Sequence, residues 1–212
     1  MTASRRSLLV PLVSLVGVAW FALWACAPMS TMPIPGAIGE QKNEFALGGN
    51  YTGGSGTYLG EFYGSGTGAS GQLSYDHRFG KFNFGGGIFA GQPTLVGGGV
   101  FFGGLFPVGA VNVGFQVSGG WLWADLGVPV TVPLGDRIWL YTEPSVGIRS
   151  HVLRLPVGAG FRLGKHVTLA PEVAVQYSPQ YAFDPTLVPA TGGNGWPYSL
   201  AVTGAFTAGF GF

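Results

Sequence analysis

Charged residues are scarce in this sequence. Lysine, arginine, aspartate and glutamate make up 9% of its 212 residues, whereas soluble domains average about 25%. Ten basic residues balance nine acidic ones, so the chain lacks the polycationic surface that binding to nucleic-acid phosphates requires, and we expect no nucleic-acid partner. Intrinsic disorder is excluded as well, because it needs low hydrophobicity, and 47% of these residues are hydrophobic.

Cysteine is almost absent, and so are long apolar runs beyond the N-terminus. The one cysteine, Cys26, cannot form a disulfide within the chain. The three histidines are scattered and lack the spacing of metal ligands, so we expect neither a metal site nor a cofactor. After residue 25 no apolar run reaches the roughly 18 residues of a membrane-spanning helix, which argues against a helical membrane protein.

The N-terminus carries the pattern of an export signal. Arg5 and Arg6 form a positive n-region, and residues 8–25 are uncharged and mostly apolar. The tetrapeptide Leu23-Trp24-Ala25-Cys26 resembles the lipobox of bacterial lipoproteins, in which a peptidase cuts before a diacylated cysteine, although Trp24 replaces the small residue usual there. We predict a signal peptide over residues 1–25 and a lipid on Cys26. The alternatives are cleavage after Ala27 by an ordinary signal peptidase, which Pro28 disfavours, and a transmembrane anchor.

Residues 26–42 are predicted to form a lipidated tether. Pro28, Pro33, Pro35 and Gly36 fall in this short range, and no apolar periodicity connects them. Such a composition is typical of a flexible or extended linker. The folded domain is therefore predicted to cover residues 43–212.

From residue 43 onward, apolar and polar residues alternate with a period of two. In residues 166–177, for example, one face carries Val167, Leu169, Pro171, Val173, Val175 and Tyr177. This alternation is typical of strands with one apolar face. We predict ten strands, with eight or twelve as alternatives, at residues 44–52, 69–79, 82–91, 95–106, 108–119, 123–134, 137–149, 151–163, 166–178 and 197–212.

Short and long connections alternate between the predicted strands. Gly80, Gly135 and Gly164 mark short turns, because glycine adopts the positive φ that tight hairpins need. The long connection Ser178–Trp196 offers aromatic residues for contact with a protein partner. Prolines cannot donate to a β-ladder, and those inside predicted strands are interpreted as marks of bulges: Pro129, Pro133, Pro144, Pro156 and Pro171.

The last predicted strand ends on phenylalanine. Its apolar face finishes with Phe206, Ala208, Phe210 and Phe212, which resembles the C-terminal assembly signal of bacterial outer-membrane β-barrels, although Thr207 stands where that signal has glycine. Residues 43–212 resemble the small barrels of this superfamily, which have eight to twelve strands. The resemblance implies an all-β, antiparallel, up-and-down transmembrane barrel in the bacterial outer membrane, with short turns in the periplasm and longer loops outside.

The resemblance also implies partners. Outer-membrane lipid would surround the apolar faces, and the barrel-assembly machinery would recognise the C-terminal strand ending at Phe212. A protein partner would bind the extracellular loops. A secreted β-sandwich fits less well, because its outer face should be polar and charged, whereas the faces assigned outward here are apolar along nearly every strand.

The inward faces carry the candidate functional residues. Glu143, Arg154 and Glu172 fall on three consecutive predicted strands. The forked guanidinium of Arg154 is expected to lie between the two carboxylates and close the lumen, with separate hydration of each charge as the alternative. Inward glycines would leave space for water or a slender ligand, or merely relieve crowding: Gly85, Gly87, Gly114, Gly158 and Gly160.

The sequence leaves three functions open. The first, which we favour, is a non-enzymatic barrel with a structural or interaction role through its extracellular loops. The second is a narrow channel or transporter for small solutes, because ten strands enclose only slightly more room than eight. The third is a lipid-modifying hydrolase built on Ser150, His151 and Glu143, a Ser-His-acid set near an extracellular strand end.

Overall fold

The computed structural model describes residues 31–36, 42–58, 61–91, 95–120, 123–148, 152–177 and 200–212. The alternating sequence forms strands through most of these ranges. In chain order the segments are β1 (Asn43–Tyr58), β2 (Glu61–Phe79), β3 (Phe82–Gly91), β4 (Leu95–Val108), β5 (Val111–Gly119), β6 (Ala124–Gly127), β7 (Val130–Pro133), β8 (Ile138–Thr142), β9 (Ser145–Gly147), β10 (Leu153–Leu163), β11 (Val167–Tyr177) and β12 (Leu200–Gly211). Within the described ranges, no helix is both long and apolar enough to cross a membrane.

The strands form one closed antiparallel sheet. β12 pairs with both β11 and β1, which joins the two ends of the sheet. β6 and β7 both pair with β5, while β8 and β9 both pair with β10, so each couple is one barrel strand with an interruption. The barrel therefore has ten strands, and the predicted fold class is confirmed.

The first hairpin extends further than predicted. β1 continues to Tyr58 and β2 begins at Glu61, whereas the predicted strands cover only residues 44–52 and 69–79. Residues 53–68 are rich in glycine, which hides the alternation because glycine has no side chain to mark a face. The pairing of β1 with β2 shifts by one residue between Gly56 and Thr57, where the hairpin has a bulge.

Each strand buries one face and exposes the other, as the alternation predicts. In β11, for example, Val173 is 56% exposed and its neighbour Ala174 is completely buried. Large hydrophobic side chains are exposed on the outer faces around the barrel, among them Val100 and Ile148. A soluble monomer rarely exposes an apolar patch larger than a few hundred Å². The outer surface therefore suits hydrocarbon, as in transmembrane barrels.

The turns after β2, β4 and β10 lie at one end of the barrel, which we call the turn end; the opposite end, where β11 ends and β12 begins, is the loop end. Gly80, Gly109 and Gly164 adopt φ values of +64°, +63° and +70° in these turns. The predicted boundary near residue 107 is wrong by a few residues, because Pro107 still belongs to β4 and the turn follows at Gly109. β1 starts and β12 finishes at this end, where Asn43 and Phe212 exchange main-chain hydrogen bonds of 3.2 and 2.9 Å.

The prolines interpreted as bulges do not shift the register. Pro129 and Pro144 occupy the interruptions between β6 and β7 and between β8 and β9. The pairing of β5 shows the same register on both sides of the first interruption, with Asn112 opposite Thr131 and Gln116 opposite Gly127. The bulge interpretation is therefore wrong here. A proline removes one ladder hydrogen bond because it has no N–H, but the strand continues along the same path.

Candidate functional site

The lumen is occupied by the chain's own residues. Residues 31–36, with the sequence Thr-Met-Pro-Ile-Pro-Gly, lie inside the barrel, and residues 31–35 are buried. We call these six residues the lumen segment. The structure differs here from the tether expected over residues 26–42, because Met32 and Ile34 find aromatic partners inside the barrel and the two prolines bring no N–H that would need a partner there.

Polar side chains of four barrel strands bind the main chain of the lumen segment. The hydrogen bonds run from Thr31 N to Glu172 Oε1 (3.3 Å), from Gln72 Nε2 to Thr31 O (3.2 Å), from Gln116 Nε2 to Met32 O, and from Trp139 Nε1 to Pro35 O (2.8 Å). Buried main-chain groups need such partners, because an unpaired one costs about 1–3 kcal/mol. Side chains of the barrel wall therefore make the hydrogen bonds to the main chain of the lumen segment that a neighbouring strand makes to each strand within the sheet.

Two aromatic sockets hold the apolar side chains of the lumen segment. Each socket is a cluster of buried residues: Met32 with Phe89, Phe101 and Trp123 in the first, and Ile34 with Trp139, Tyr141 and Ala170 in the second. We call them the Met32 socket and the Ile34 socket. Burial of each side chain removes apolar surface from water and contributes about 1.5–3 kcal/mol.

The sockets exist because glycines face their rings. A β-carbon on Gly158 would overlap the ring of Tyr141, and one on Gly160 would overlap the ring of Trp139. In the Met32 socket, a β-carbon on Gly85 would lie 2.6 Å from Phe101 Cζ, and one on Gly87 would lie 2.9 Å from Met32 Sδ. Of the two alternatives for these inward glycines, relief of crowding agrees with the structure and open space for water or a ligand does not, because rings and the lumen segment fill that space.

Gly114 has a different role from the other inward glycines. A β-carbon there would overlap the main-chain oxygen of Gly104 on the paired strand β4. The absence of a side chain lets the two strands approach closely. Gly114 therefore leaves no open space in the lumen either.

The predicted cluster of Glu143, Arg154 and Glu172 is brought together in part. Arg154 Nη2 lies 3.0 Å from Glu172 Oε1, and the same nitrogen donates to Thr31 Oγ1 at 2.8 Å. Tyr141 also donates to Glu172, with 3.3 Å between Tyr141 Oη and Glu172 Oε2. The ion pair is almost shielded from solvent, with side chains 11% and 4% exposed. Arg154 therefore joins the barrel wall to the lumen segment.

Glu143 lies near this ion pair but takes no part in it. In the described residues no salt bridge joins Glu143 to Arg154, and Glu143 Oε2 is buried without a hydrogen-bond partner. Both side chains line a small cavity beside Met32. The expected bridge between two carboxylates does not form: Nη2 of Arg154 bonds to Glu172 and Thr31, while Arg154 Nε is buried without a hydrogen-bond partner.

A second charged cluster at the turn end is not among the sequence-predicted sites. Arg78 lies 3.3 Å from Glu44 and 2.8 Å from Asp76, and Asn83 donates to Asp76 at 3.0 Å. The signal for it is present in the sequence: in β2 the inward face is polar and reads Ser70, Gln72, Ser74, Asp76 and Arg78. Period-two alternation places these residues in the lumen.

A cavity of about 340 Å³ lies beside the lumen segment at the turn end. Residues 33–36 form one side of it, and the rest of the lining combines apolar and neutral polar residues with four charged ones, namely Asp76, Arg78, Lys81 and Glu143. Small-ligand pockets measure about 300–1,000 Å³. The cavity therefore has room for waters or a small polar solute, while the lumen segment occupies the space next to it.

Several predicted residues lie outside the described ranges. These are Cys26, Ser150, His151 and the connection Ser178–Trp196. His77 faces outward, as expected, with its Nδ1 2.8 Å from Asn43 Oδ1 and its ring against Phe84. In the part of the chain that the structure describes, no group of three or more histidine, cysteine or acidic residues is arranged to hold a metal ion.

Comparison with solved structures finds similar β-barrels. The translocator domain of the autotransporter NalP from Neisseria meningitidis is similar, with a TM-score of 0.51 and 10% identity over 96% of this chain and 97% of that one. The fold is that of a bacterial outer-membrane β-barrel. The transport unit of the autotransporter AIDA-I from Escherichia coli has a TM-score of 0.45 at 10% identity, covering 94% of this chain and 98% of its own. The KdgM porin has a TM-score of 0.45 at 12% identity, covering 79% and 99%.

No protein-family model matches the sequence, and no curated protein does. At 10% identity the likeness to NalP concerns the fold alone. The closed barrel and its apolar exterior confirm the predicted outer-membrane location. The function of the lumen has to be inferred from the side chains of this chain.

Proposed function

We propose that this chain is a non-enzymatic outer-membrane barrel, closed at rest by its lumen segment, that acts through protein contacts at its extracellular loops. Export by the signal peptide of residues 1–25 and a lipid on Cys26 belong to the same proposal. The observation that supports it is the occupied lumen. An open pore needs a continuous path for water, and here a buried peptide fills the middle of the barrel.

The contacts of the lumen segment support a stable closed state. Its main chain is bound from β2, β5, β8 and β11, so partners surround it on several sides. The two aromatic sockets add apolar burial, and the ion pair of Arg154 with Glu172 fixes its first residue. A barrel of ten strands is only slightly wider than one of eight, whose side chains already fill the interior.

A narrow channel for small solutes is the second candidate. The cavity at the turn end and the charges of Glu44, Asp76 and Arg78 favour it, because they make the lumen polar at that end. Conduction through the whole barrel would then require departure of the lumen segment. The two candidates therefore differ in whether the resting protein conducts.

Single-channel recording in planar bilayers tests the closed state. The wild type is expected to be silent. The double variant Met32→Asp, Ile34→Asp places a carboxylate in each apolar socket, which is costly without a partner, so it is expected to release the lumen segment and conduct. The matched control Met32→Leu, Ile34→Val keeps both sockets apolar and should stay silent. Steady conductance of the wild type would refute the closed state and favour the channel.

A further inference from the structure

The barrel wall recognises a peptide main chain in the lumen. Glu172, Gln72, Gln116 and Trp139 all bond to main-chain atoms of the lumen segment. Main-chain atoms are the same in every peptide, so these bonds require a main chain that follows the path of the lumen segment but do not depend on its side chains. The bond from Arg154 to Thr31 Oγ1 adds a preference for a hydroxyl residue at the first position.

The Met32 socket and the Ile34 socket determine which side chains the bound peptide can have. Met32 and Ile34 are two residues apart, and each enters its own aromatic cluster. A proline follows each of them, and proline has no N–H that would be left unpaired inside the lumen. The site therefore selects an apolar residue, a proline, a second apolar residue and a second proline, in that order.

None of these contacts uses the covalent connection between the lumen segment and β1. The partners of residues 31–35 are lumen-facing side chains of the barrel strands and Trp123, just before β6. A covalent connection raises the effective concentration of the segment, to the order of millimolar for a short flexible linker, but adds no contact. A separate peptide of the same chemistry would make the same bonds.

We propose that the lumen is a peptide-binding site that accepts, in exchange for the lumen segment, a segment of another polypeptide with two apolar residues each followed by proline. The inference rests on the proposed closed state, in which residues 31–36 are the resident ligand of that site. An incoming segment has to displace this resident ligand. Binding of a partner therefore determines whether the lumen is occupied by the chain's own segment or by the partner's.

The test uses the folded full-length chain in detergent micelles and a fluorescein-labelled peptide, Thr-Met-Pro-Ile-Pro-Gly. Fluorescence anisotropy should show saturable binding to the Met32→Asp, Ile34→Asp variant, at least about ten-fold tighter than to the wild type, whose own segment competes at high effective concentration. A peptide with aspartate at both apolar positions is the matched control and should not bind. Adding Trp139→Phe to the double variant keeps the ring but removes the donor to Pro35 O, and should weaken peptide binding.

Two results would overturn this proposal: no saturable binding to the folded double variant, or equal binding of the control peptide. If the double variant does not fold, judged by its heat-dependent mobility on gels, Ile34→Ala replaces it. That variant leaves the Ile34 socket partly empty and should also bind the peptide more tightly than the wild type. The conductance of the wild type is measured without peptide, so failure of the closed state and failure of the peptide site can be distinguished.

Discussion

At the scale of single residues, Arg154 connects the barrel wall to the lumen segment. Its Nη2 pairs with Glu172 on β11 and donates to Thr31 of the lumen segment. Glu172 in turn accepts from Tyr141 and from Thr31 N. Removal of Arg154 would therefore leave a buried carboxylate without its cation and would loosen the first residue of the lumen segment.

We predict that Arg154→Ala destabilises the barrel and opens it. Loss of one partner of a buried ion pair costs about 3–5 kcal/mol, which should appear as a lower free energy of unfolding in urea, followed by tryptophan fluorescence. Conductance should rise, because the lumen segment is held less firmly. Arg137→Ala is the control, since Arg137 is exposed at the turn end. If neither quantity changes, the ion pair only lines the lumen.

Individual glycines differ in how much space a β-carbon would have. Gly160 faces the ring of Trp139, whereas nothing lies within 4 Å of a β-carbon on Gly204. Gly160→Ala should therefore displace Trp139, weaken its bond to Pro35 O and destabilise the fold by about 1–3 kcal/mol. Gly204→Ala should be neutral or slightly stabilising. Urea unfolding of both variants measures the difference, and equal effects would show that the ring moves aside freely.

At the scale of elements, the connections between the strands indicate how the barrel is oriented in the membrane. The turn end has Gly80, Gly109 and Gly164 in tight turns, while the loop end includes the long connection between β11 and β12. Short turns face the periplasm in barrels of this kind. We therefore expect the connection Ser178–Trp196, our predicted contact with a protein partner, to be outside the cell.

Epitope tags test this orientation. A tag inserted at Gly193, in the long connection, should bind antibody on intact cells. A tag at Gly164, in the turn between β10 and β11, should bind only after the outer membrane is permeabilised. Both tags lie in connections, so both are expected to leave the barrel folded. The reverse labelling pattern would show that the orientation is inverted.

At the scale of the whole molecule, the closed sheet, apolar exterior and filled lumen form one unit. Closure gives each of the ten barrel strands a paired neighbour on both sides, as a chain surrounded by lipid requires. The N-terminal lipid that we propose would add a second attachment to the same membrane. Its effect on location should be small, because the barrel itself spans the bilayer.

We predict that the mature chain begins at Cys26 and carries acyl chains. Residues 1–25 contain two basic and no acidic residues, so cleavage changes the formal charge from +1 to +1 − 2 = −1. Palmitate labelling should be lost in Cys26→Ala, while Ser14→Ala within the signal should keep it. Mass spectrometry that finds residues 1–25 intact on the membrane-bound protein would contradict the lipoprotein prediction.

Sequence alone was informative wherever the property is local. Alternation with a period of two identifies a strand and assigns its faces without any knowledge of neighbours, which is why the inward positions of Glu143, Arg154 and Glu172 could be predicted. The glycine-rich residues 53–68 show the limit of this rule, because a strand without side chains has no pattern. Pro129 and Pro144 show another limit, since sequence does not reveal whether a missing N–H shifts the register.

The sequence by itself determined the strands, their faces and the outer-membrane barrel, because a lipid exterior and a polar lumen impose alternation on every strand. Only the tertiary structure decided what fills the lumen. The partners of Met32 and Ile34 come from strands far apart in the chain, and Arg154 pairs with Glu172 and Thr31 but not with Glu143. Such contacts depend on which inward side chains meet across a closed cylinder, and this is fixed only when the barrel closes around the lumen segment.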